Sequence, residues 1–472
     1  MPPGIATIFY LVIIVGLFWL DRDQKTRTSA ALWIPLVWLS LAGSRSVSQW
    51  MQVGQPVNLM NSPDQQIMEG SPIDRLVYTS LLILGLIVLV NRRRKVGKLL
   101  WANGPILLFF VYCATSLLWS DYPDVAFKRW TKASGDLVMV LVVLSDQEPV
   151  AALKRLLART AFLLIPLSTL FIKYYPELGK GYGAWDWKPF YTGVTTNKNT
   201  LGVICLFFGL ASVWRILAIY RCREQTGRTQ QLIAHGAVLA MVLWLFWMAN
   251  SMTSFFCFLL GSASLWVTNS TGVVRRPAAV HLFVTAMVCV SVSVLFLGVA
   301  PGLLPAIGRD ATLTDRTGIW TIVLSLTRNP LIGTGFESFW IGPRLAKIWS
   351  MYPWQPFEAH NGYLEVFLNL GWTGVALLAV VIATGYRTVI AAWRRSPPAG
   401  SLVLAYFVVG VVYNFTEAAF FRMMAPAWIL FLLAITSVPD LPTQRSENQS
   451  QSSFTIVPTW HQTQATLSEE IV

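Results

Sequence analysis

Apolar runs of about 20 residues recur along this chain from one end to the other, and a run of that length, wound as a helix, matches the hydrocarbon thickness of a bilayer. The runs fall at 5–20, 30–43, 75–91, 99–118, 129–144, 151–172, 200–220, 231–249, 251–269, 279–299, 371–391, 400–419 and 424–438, about 12–13 expected transmembrane helices. Short polar segments separate them. Of 472 residues 54% are hydrophobic and only 12% charged, with a mean hydropathy of +0.54, far from the quarter charged of an ordinary soluble domain. The fold class expected is therefore an all-α polytopic membrane protein.

A formal net charge of +13 raises the question of nucleic acid, but the cations sit in short clusters between apolar runs, where they set topology instead. The clusters are Arg22, Lys25 and Arg27; Arg92, Arg93, Arg94, Lys95 and Lys98; Arg221, Arg223 and Arg228; Arg275 and Arg276; and Arg394 and Arg395. Alternating the runs from an N-terminus outside sends every cluster to the cytoplasm. The C-terminus is then cytoplasmic. Cys113, Cys205, Cys222, Cys257 and Cys289 lack metal-ligand spacing and lie mostly within apolar runs, so packing is their expected role.

Four expected segments are a transmembrane bundle at 1–299, an outer insert at 300–370, further transmembrane helices at 371–438 and a disordered cytoplasmic tail at 439–472. The tail is rich in Ser, Gln and Thr, too polar to build a core. The insert holds two helix-like stretches, 315–328 and 360–370, joined by the connector GTGFESFWIGP. Long inserts with their own secondary structure usually carry function. No P-loop or nucleotide-binding glycine fingerprint occurs, so an ATP-driven pump is not expected.

Histidine is scarce, and of His235, His281, His360 and His461 only His360 stands in the insert, within EAHNGYLEVFLNLG. Its near-neutral pKa suits a general base acting on a sugar hydroxyl; alternatively His360 and Asn361 cap a helix. HNGYLE lacks the second histidine of a zinc-binding HExxH, and no metal or cofactor is expected. In GRDATLTDRTGIW, Arg309 and Arg316 precede a helix bearing Trp320, and arginine can grip phosphate oxygens bidentately. The bland alternatives are lipid headgroups or pairing with Asp310 and Asp315. In FYTGVTTNKNTLG, Lys198 stands between Asn197 and Asn199 at the outer mouth of a span, where a helix N-terminus attracts anions. Ser251, Thr253 and Ser254 in NSMTSFF join two spans, and capping explains most of that motif.

Together LLWSDYPDVAFKRW, GVTTNKNTLG, GRDATLTDRTGIW continuing to NPLIGTGFESFW, and AHNGYLEVFLNLGWTG resemble the recurring blocks of the O-antigen ligase and polysaccharide polymerase family of bacterial inner membranes. The arginine-rich block most resembles its exopolysaccharide-polymerase branch. That resemblance implies a GT-C-like, inverting, metal-independent glycosyltransferase using saccharides on undecaprenyl diphosphate at the periplasmic face. It implies His360 as base, Glu365 beside it in the catalytic set orienting the site or its helix, and Arg316, Lys198 and Arg309 as diphosphate ligands, with Asn361, Tyr363 and Asn199 in support. Asp315 and Asn197 depart from the family pattern, which often has glycine and histidine there.

The implied partners are the undecaprenyl-diphosphate-linked oligosaccharide, membrane lipids, a repeat-unit flippase and a chain-length regulator. The alternative function is a transporter or flippase of lipid-linked saccharides, which the scarcity of ionisable residues within the spans disfavours. A structural role in an export assembly is a third option. The topology is directly testable: cysteines placed at Arg93 and at His360 should label from opposite sides of the membrane, and labelling from one side would reject the alternation.

Overall fold

A computed structural model describes residues 1–22, 28–52, 70–182, 188–221, 227–274, 276–296, 316–352 and 354–438. Lys25, Arg27, Cys222, Arg223, Arg275, Arg309, Asp310, Asp315, His461 and the tail 439–472 lie outside the described residues.

The larger helices are α1 (Pro3–Leu20), α2 (Trp33–Ala42), α3 (Pro72–Asn91), α4 (Arg93–Ala102), α5 (Gly104–Thr115), α6 (Pro123–Leu144), α7 (Pro149–Tyr174) and α8 (Lys198–Arg221). They continue as α9 (Arg228–Ala249), α10 (Met252–Thr268), α11 (Pro277–Phe296), α12 (Arg316–Ser325), α13 (Pro343–Met351), α14 (Gly362–Arg395), α15 (Pro397–Tyr413) and α16 (Pro426–Ile435). The chain is a helical, multi-pass membrane protein. Among the described residues sheet is confined to two short strands, β1 (Lys180–Tyr182) and β2 (Pro189–Tyr191), paired antiparallel with Gly181 opposite Phe190. The hydropathy reading had no strand there; Gly181 permits it, because a Cβ would come within 2.6 Å of the Phe190 ring.

Among the described residues six helices are long and apolar enough to cross a membrane: α1, α3, α7, α8, α9 and α14. A seventh is possible if α4 and the stretch Gly104–Trp119 count as one span, but they bend by 86°. This revises the expectation of about thirteen full spans. The runs expected at 30–43, 251–269, 400–419 and 424–438 form apolar helices of only 10–17 residues, and at 1.5 Å per residue such helices are at most about 26 Å long; of the run at 279–299, which lies in α11, the apolar stretch Ala278–Ser293 is equally short. The run expected at 129–144 lies in α6, which carries Lys128, Arg129, Lys132 and Asp136 and is not among the six. Hydropathy marks where a chain is apolar, not where its helices stop. Of the cysteines, Cys113, Cys205 and Cys257 are buried, whereas Cys289 is exposed.

The main core is aromatic and aliphatic, with Trp38, Trp393, Trp428, Tyr406, Phe109 and Phe207 fully buried. Its polar atoms are partly matched: the Trp38 indole donates to Asp136 at 2.7 Å and the Tyr406 hydroxyl to the Phe207 carbonyl at 2.8 Å, whereas among the described residues the Trp428 indole meets no acceptor. The insert has a second core of Ile319, Val323, Phe339, Trp340, Leu345, Ile348, Ala359 and Leu368. Helix α13, unexpected from sequence, supplies two of these residues.

The two cores join where α14 breaks at Gly371, whose φ of 65° and ψ of −166° are not helical. The break diverts backbone groups from the helix ladder to the 330–335 loop. Trp372 and Thr373 donate to the carbonyls of Pro330 and Leu331 at 2.9 and 3.1 Å, while Leu368 and Asn369 accept from Thr334 and Gly335 at 3.2 and 2.9 Å. Asn369 also accepts Ser338 and Phe339 amides on its side chain. The segment at 116–121 completes the joint: Ser116 accepts the Phe336 amide at 2.9 Å, and Arg344 bonds Asp121 at 2.6 Å. A Cβ at Gly371 would lie 2.3 Å from Leu331 backbone atoms. Gly371→Ala should therefore cost upwards of about 1–3 kcal/mol, the range for a non-glycine backbone held in such a region. A thermal midpoint equal to wild type in detergent would show that the break tolerates a side chain.

Candidate functional site

The chain around His360 is held before any functional contact is considered. Glu365, one turn into α14, is half-buried; its Oε1 accepts the Ala359 amide at 2.5 Å, and its two oxygens accept the Trp340 indole at 3.0 and 2.9 Å. The Ala359 carbonyl in turn accepts the Trp320 indole at 2.8 Å. Asn361 caps α14, accepting the Tyr363 and Leu364 amides at 3.0 Å each. Gly362 donates to the Asn414 and Glu417 carbonyls at 2.8 and 3.1 Å, and a Cβ there would collide with Asn414. Tyr363 stacks on Phe415 and donates its hydroxyl to the Val411 carbonyl at 3.0 Å. Between these anchors His360 adopts a left-handed φ of 51°.

That turn aims the His360 imidazole at two carboxylates. Nδ1 lies 3.0 Å from Glu358 and 3.3 Å from Glu417. An ionised carboxylate only accepts, so Nδ1 carries the proton and Nε2 keeps a lone pair in the neutral ring. Each carboxylate also has an arginine. Arg422 pairs with Glu358, and Arg316 reaches Glu417 at 3.3 Å while donating to the Thr416 carbonyl at 2.5 Å.

Lys198 completes the constellation from α8. Asn197 caps that helix, accepting the Thr200 amide at 2.8 Å and hydroxyl at 3.1 Å. Lys198 and Asn199 line the same cavity, of about 580 Å³, as Glu358, His360, Glu417 and Arg422. Arg316 meets this cavity only through Glu417. Ser251 and Ser254 bond each other at 3.0 Å, and Thr253 lies 3.4 Å from Thr416, so the NSMTSFF turn packs beneath the 414–417 segment.

Glu358, Glu417 and Arg422 received no role from sequence. Glu417 and Arg422 stand in NFTEAAFFRMMA, at the junction of two runs read as continuous spans; the structure ends α15 at Tyr413 and begins α16 at Pro426. A signal was present: a glutamate inside an apolar run is expensive unless it has a partner. The partner could not be read locally.

No protein-family model matches the chain. Over 324 residues, 64% of this chain and 68% of the relative, it is 23% identical to the exopolysaccharide production protein ExoQ of Rhizobium meliloti (strain 1021). The chain is similar to an exopolysaccharide production protein. This supports the resemblance of its motifs to the exopolysaccharide polymerase and O-antigen ligase family.

One feature of the site is invisible in residue spacing: ligand atoms of Glu358, His360 and Glu417 lie within 4.8 Å of one another, a set able to hold a metal ion. Both carboxylates already face guanidinium groups, and these cations supply the charge neutralisation that a metal would bring. Chelation should accordingly leave activity unchanged. Loss of activity in EDTA with recovery on adding magnesium or manganese would assign the three residues to a metal.

Proposed function

We propose that this chain is a membrane glycosyltransferase of polysaccharide biosynthesis. It transfers a saccharide from a lipid-diphosphate carrier, undecaprenyl diphosphate, to an acceptor hydroxyl at the periplasmic face, with inversion and without a metal. The observation that carries this reading is the convergence of His360, its two carboxylates and the cations Lys198 and Arg422 on one cavity. Similarity to ExoQ supports the polysaccharide assignment.

In the proposed step the acceptor oxygen attacks the anomeric carbon, its proton passes to Nε2 of His360, and the carbon–oxygen bond to the diphosphate breaks, the leaving group taking the electron pair. Glu358 and Glu417 hold the ring with Nε2 presented and stabilise the imidazolium that forms. Lys198 and Arg422 face the cavity and take the charge developing on the diphosphate. Arg316 supports them from behind Glu417, fixing that carboxylate. Glu365 acts on the chain before His360 and is a positioning residue.

His360→Ala should lower transfer about 100- to 10,000-fold, the usual worth of a general base, with lipid-linked donor still bound. Arg422→Lys should keep part of the activity, since an ammonium retains charge but loses the fork. Because Asn361 and not His360 caps α14, His360→Asn should be as inactive as His360→Ala while remaining folded. Near-normal polymer synthesis by a correctly inserted His360→Asn protein would overturn the mechanism.

A further inference from the structure

A smaller cavity, of about 250 Å³, is lined by Arg129, Glu337, Trp340, Phe357, Glu365 and Arg422. Arg422 and Met423 line this cavity and the His360 cavity alike, so the two meet there, while Lys198 is not part of its wall. Pockets for drug-sized ligands run from about 300 to 1,000 Å³, so this one has room for a single ring.

Glu337, from the GTGFESFW connector, is its strained member. Its φ is 52°, a backbone conformation that residues other than glycine rarely adopt. Arg129 holds it there, donating from Nη1 to the Glu337 carbonyl at 2.5 Å. The same Nη1 stays 3.9 Å from the Glu337 carboxylate, too far for a hydrogen bond. Guanidinium and carboxylate thus face each other with hydrogen-bonding capacity left over. Strained side chains gather at ligand sites, and the chemistry proposed at His360 does not use this one.

Phe357 supplies an apolar face. It is 46% exposed and still pinned: its ring meets Trp349 edge-on with centroids 5.1 Å apart, and the Trp349 indole donates to the Pro356 carbonyl at 3.1 Å. Trp340 is locked in turn by its indole bonds to Glu365. Aromatic rings presented rigidly bind a ligand at little further cost in ordering.

A molecule with an apolar face and hydroxyls at its rim matches this wall. A sugar hydroxyl donates and accepts at once, so it can bridge Arg129 and Glu337 across a gap too wide for direct bonding, while the C–H face of the ring lies on Phe357. A phosphate matches it poorly. Each guanidinium already faces a carboxylate, Arg129 that of Glu337 and Arg422 that of Glu358, and an added anion would approach Glu337 and Glu365.

We propose that this cavity is a sugar subsite that takes one uncharged ring of the acceptor, with Glu337, Arg129 and Phe357 as specificity-determining residues. The proposal rests on the glycosyl-transfer reading of His360. Phe357 precedes His360 by three positions, so the segment that holds the ring also holds the base.

The full chain in detergent should bind neutral oligosaccharides released by partial hydrolysis from the polysaccharide of the cells that make it, as read by saturation-transfer NMR and calorimetry. Phe357→Ala should weaken that binding about tenfold, the usual effect of removing an aromatic anchor, whereas Phe357→Tyr should retain it. Glu337→Gly removes the carboxylate and relieves the strain, so it should lose affinity with an unchanged or higher thermal midpoint, an outcome that a merely structural residue does not give. His360→Ala should bind the oligosaccharides like wild type. Wild-type affinity in Phe357→Ala or in Glu337→Gly overturns the proposal, and so does failure of the wild-type chain to bind. Displacement of the oligosaccharides from a Lys198→Ala variant by an equal concentration of inorganic pyrophosphate overturns it too, making the cavity an anion site. If Phe357→Ala and Glu337→Gly lose the oligosaccharides while His360→Ala still makes polymer, the subsite stands and the reading of His360 fails.

Discussion

The carboxylate of Glu417 meets both His360 and Arg316, side chains 57 and 101 positions away in the chain, and the rest of the site depends on that double contact. An acceptor-only group between two donors sets the imidazole tautomer on one side and holds a guanidinium on the other. Its backbone contributes as well, because the Glu417 carbonyl accepts the Gly362 amide at the start of α14. One residue thereby ties the insert helix α12, the start of α14 and the break between α15 and α16. A carboxylate this buried is costly alone, and its paired donors offset that cost.

The same economy of partners governs the joint between insert and bundle. A straight α14 would satisfy its own amides and offer none to a neighbouring loop. The glycine break at 371 releases carbonyls and amides at the level of the 330–335 loop, and backbone bonds then weld the two together. The insert's own core of Trp340, Phe339 and Ile348 sits on that weld. The Trp320 indole reaches the Ala359 carbonyl directly and the Trp340 indole reaches the Ala359 amide through Glu365, so the rigidity of a small apolar core is transmitted to the residue preceding His360.

The non-helical segment 414–425 is where three cavities meet. Its Arg422 and Met423 line both the His360 cavity and a smaller one holding Arg129, Glu337 and Glu365, while Met423 also lines the cavity between α3 and α6. The segment is pinned rather than loose: Asn414 accepts the Ala419 and Phe420 amides, Phe421 stacks on Phe109 with centroids 3.6 Å apart, and the Met424 amide donates to Asp136 at 3.3 Å. Charged and apolar groups alternate within a few residues there. Such a segment can face an amphiphilic ligand from several sides.

Read alone, the sequence determined the helical membrane class, because twenty apolar residues in succession leave a chain few other ways to satisfy its backbone. It also singled out His360, Lys198 and the capping Asn361, whose types and positions beside helix starts are local facts. It did not determine how many helices have full length, since a run read as continuous over 400–419 contains a helix that stops at Tyr413. Nor did it identify Glu358, Glu417 and Arg422 as one cluster with His360. A carboxylate inside an apolar run acquires its meaning from the donor that meets it, and those donors come from distant helices. Periodicity and capping act over a few residues, whereas an ion pair between the end of α15 and the start of α12 exists only once the helices have packed, and that packing was decided by the tertiary structure.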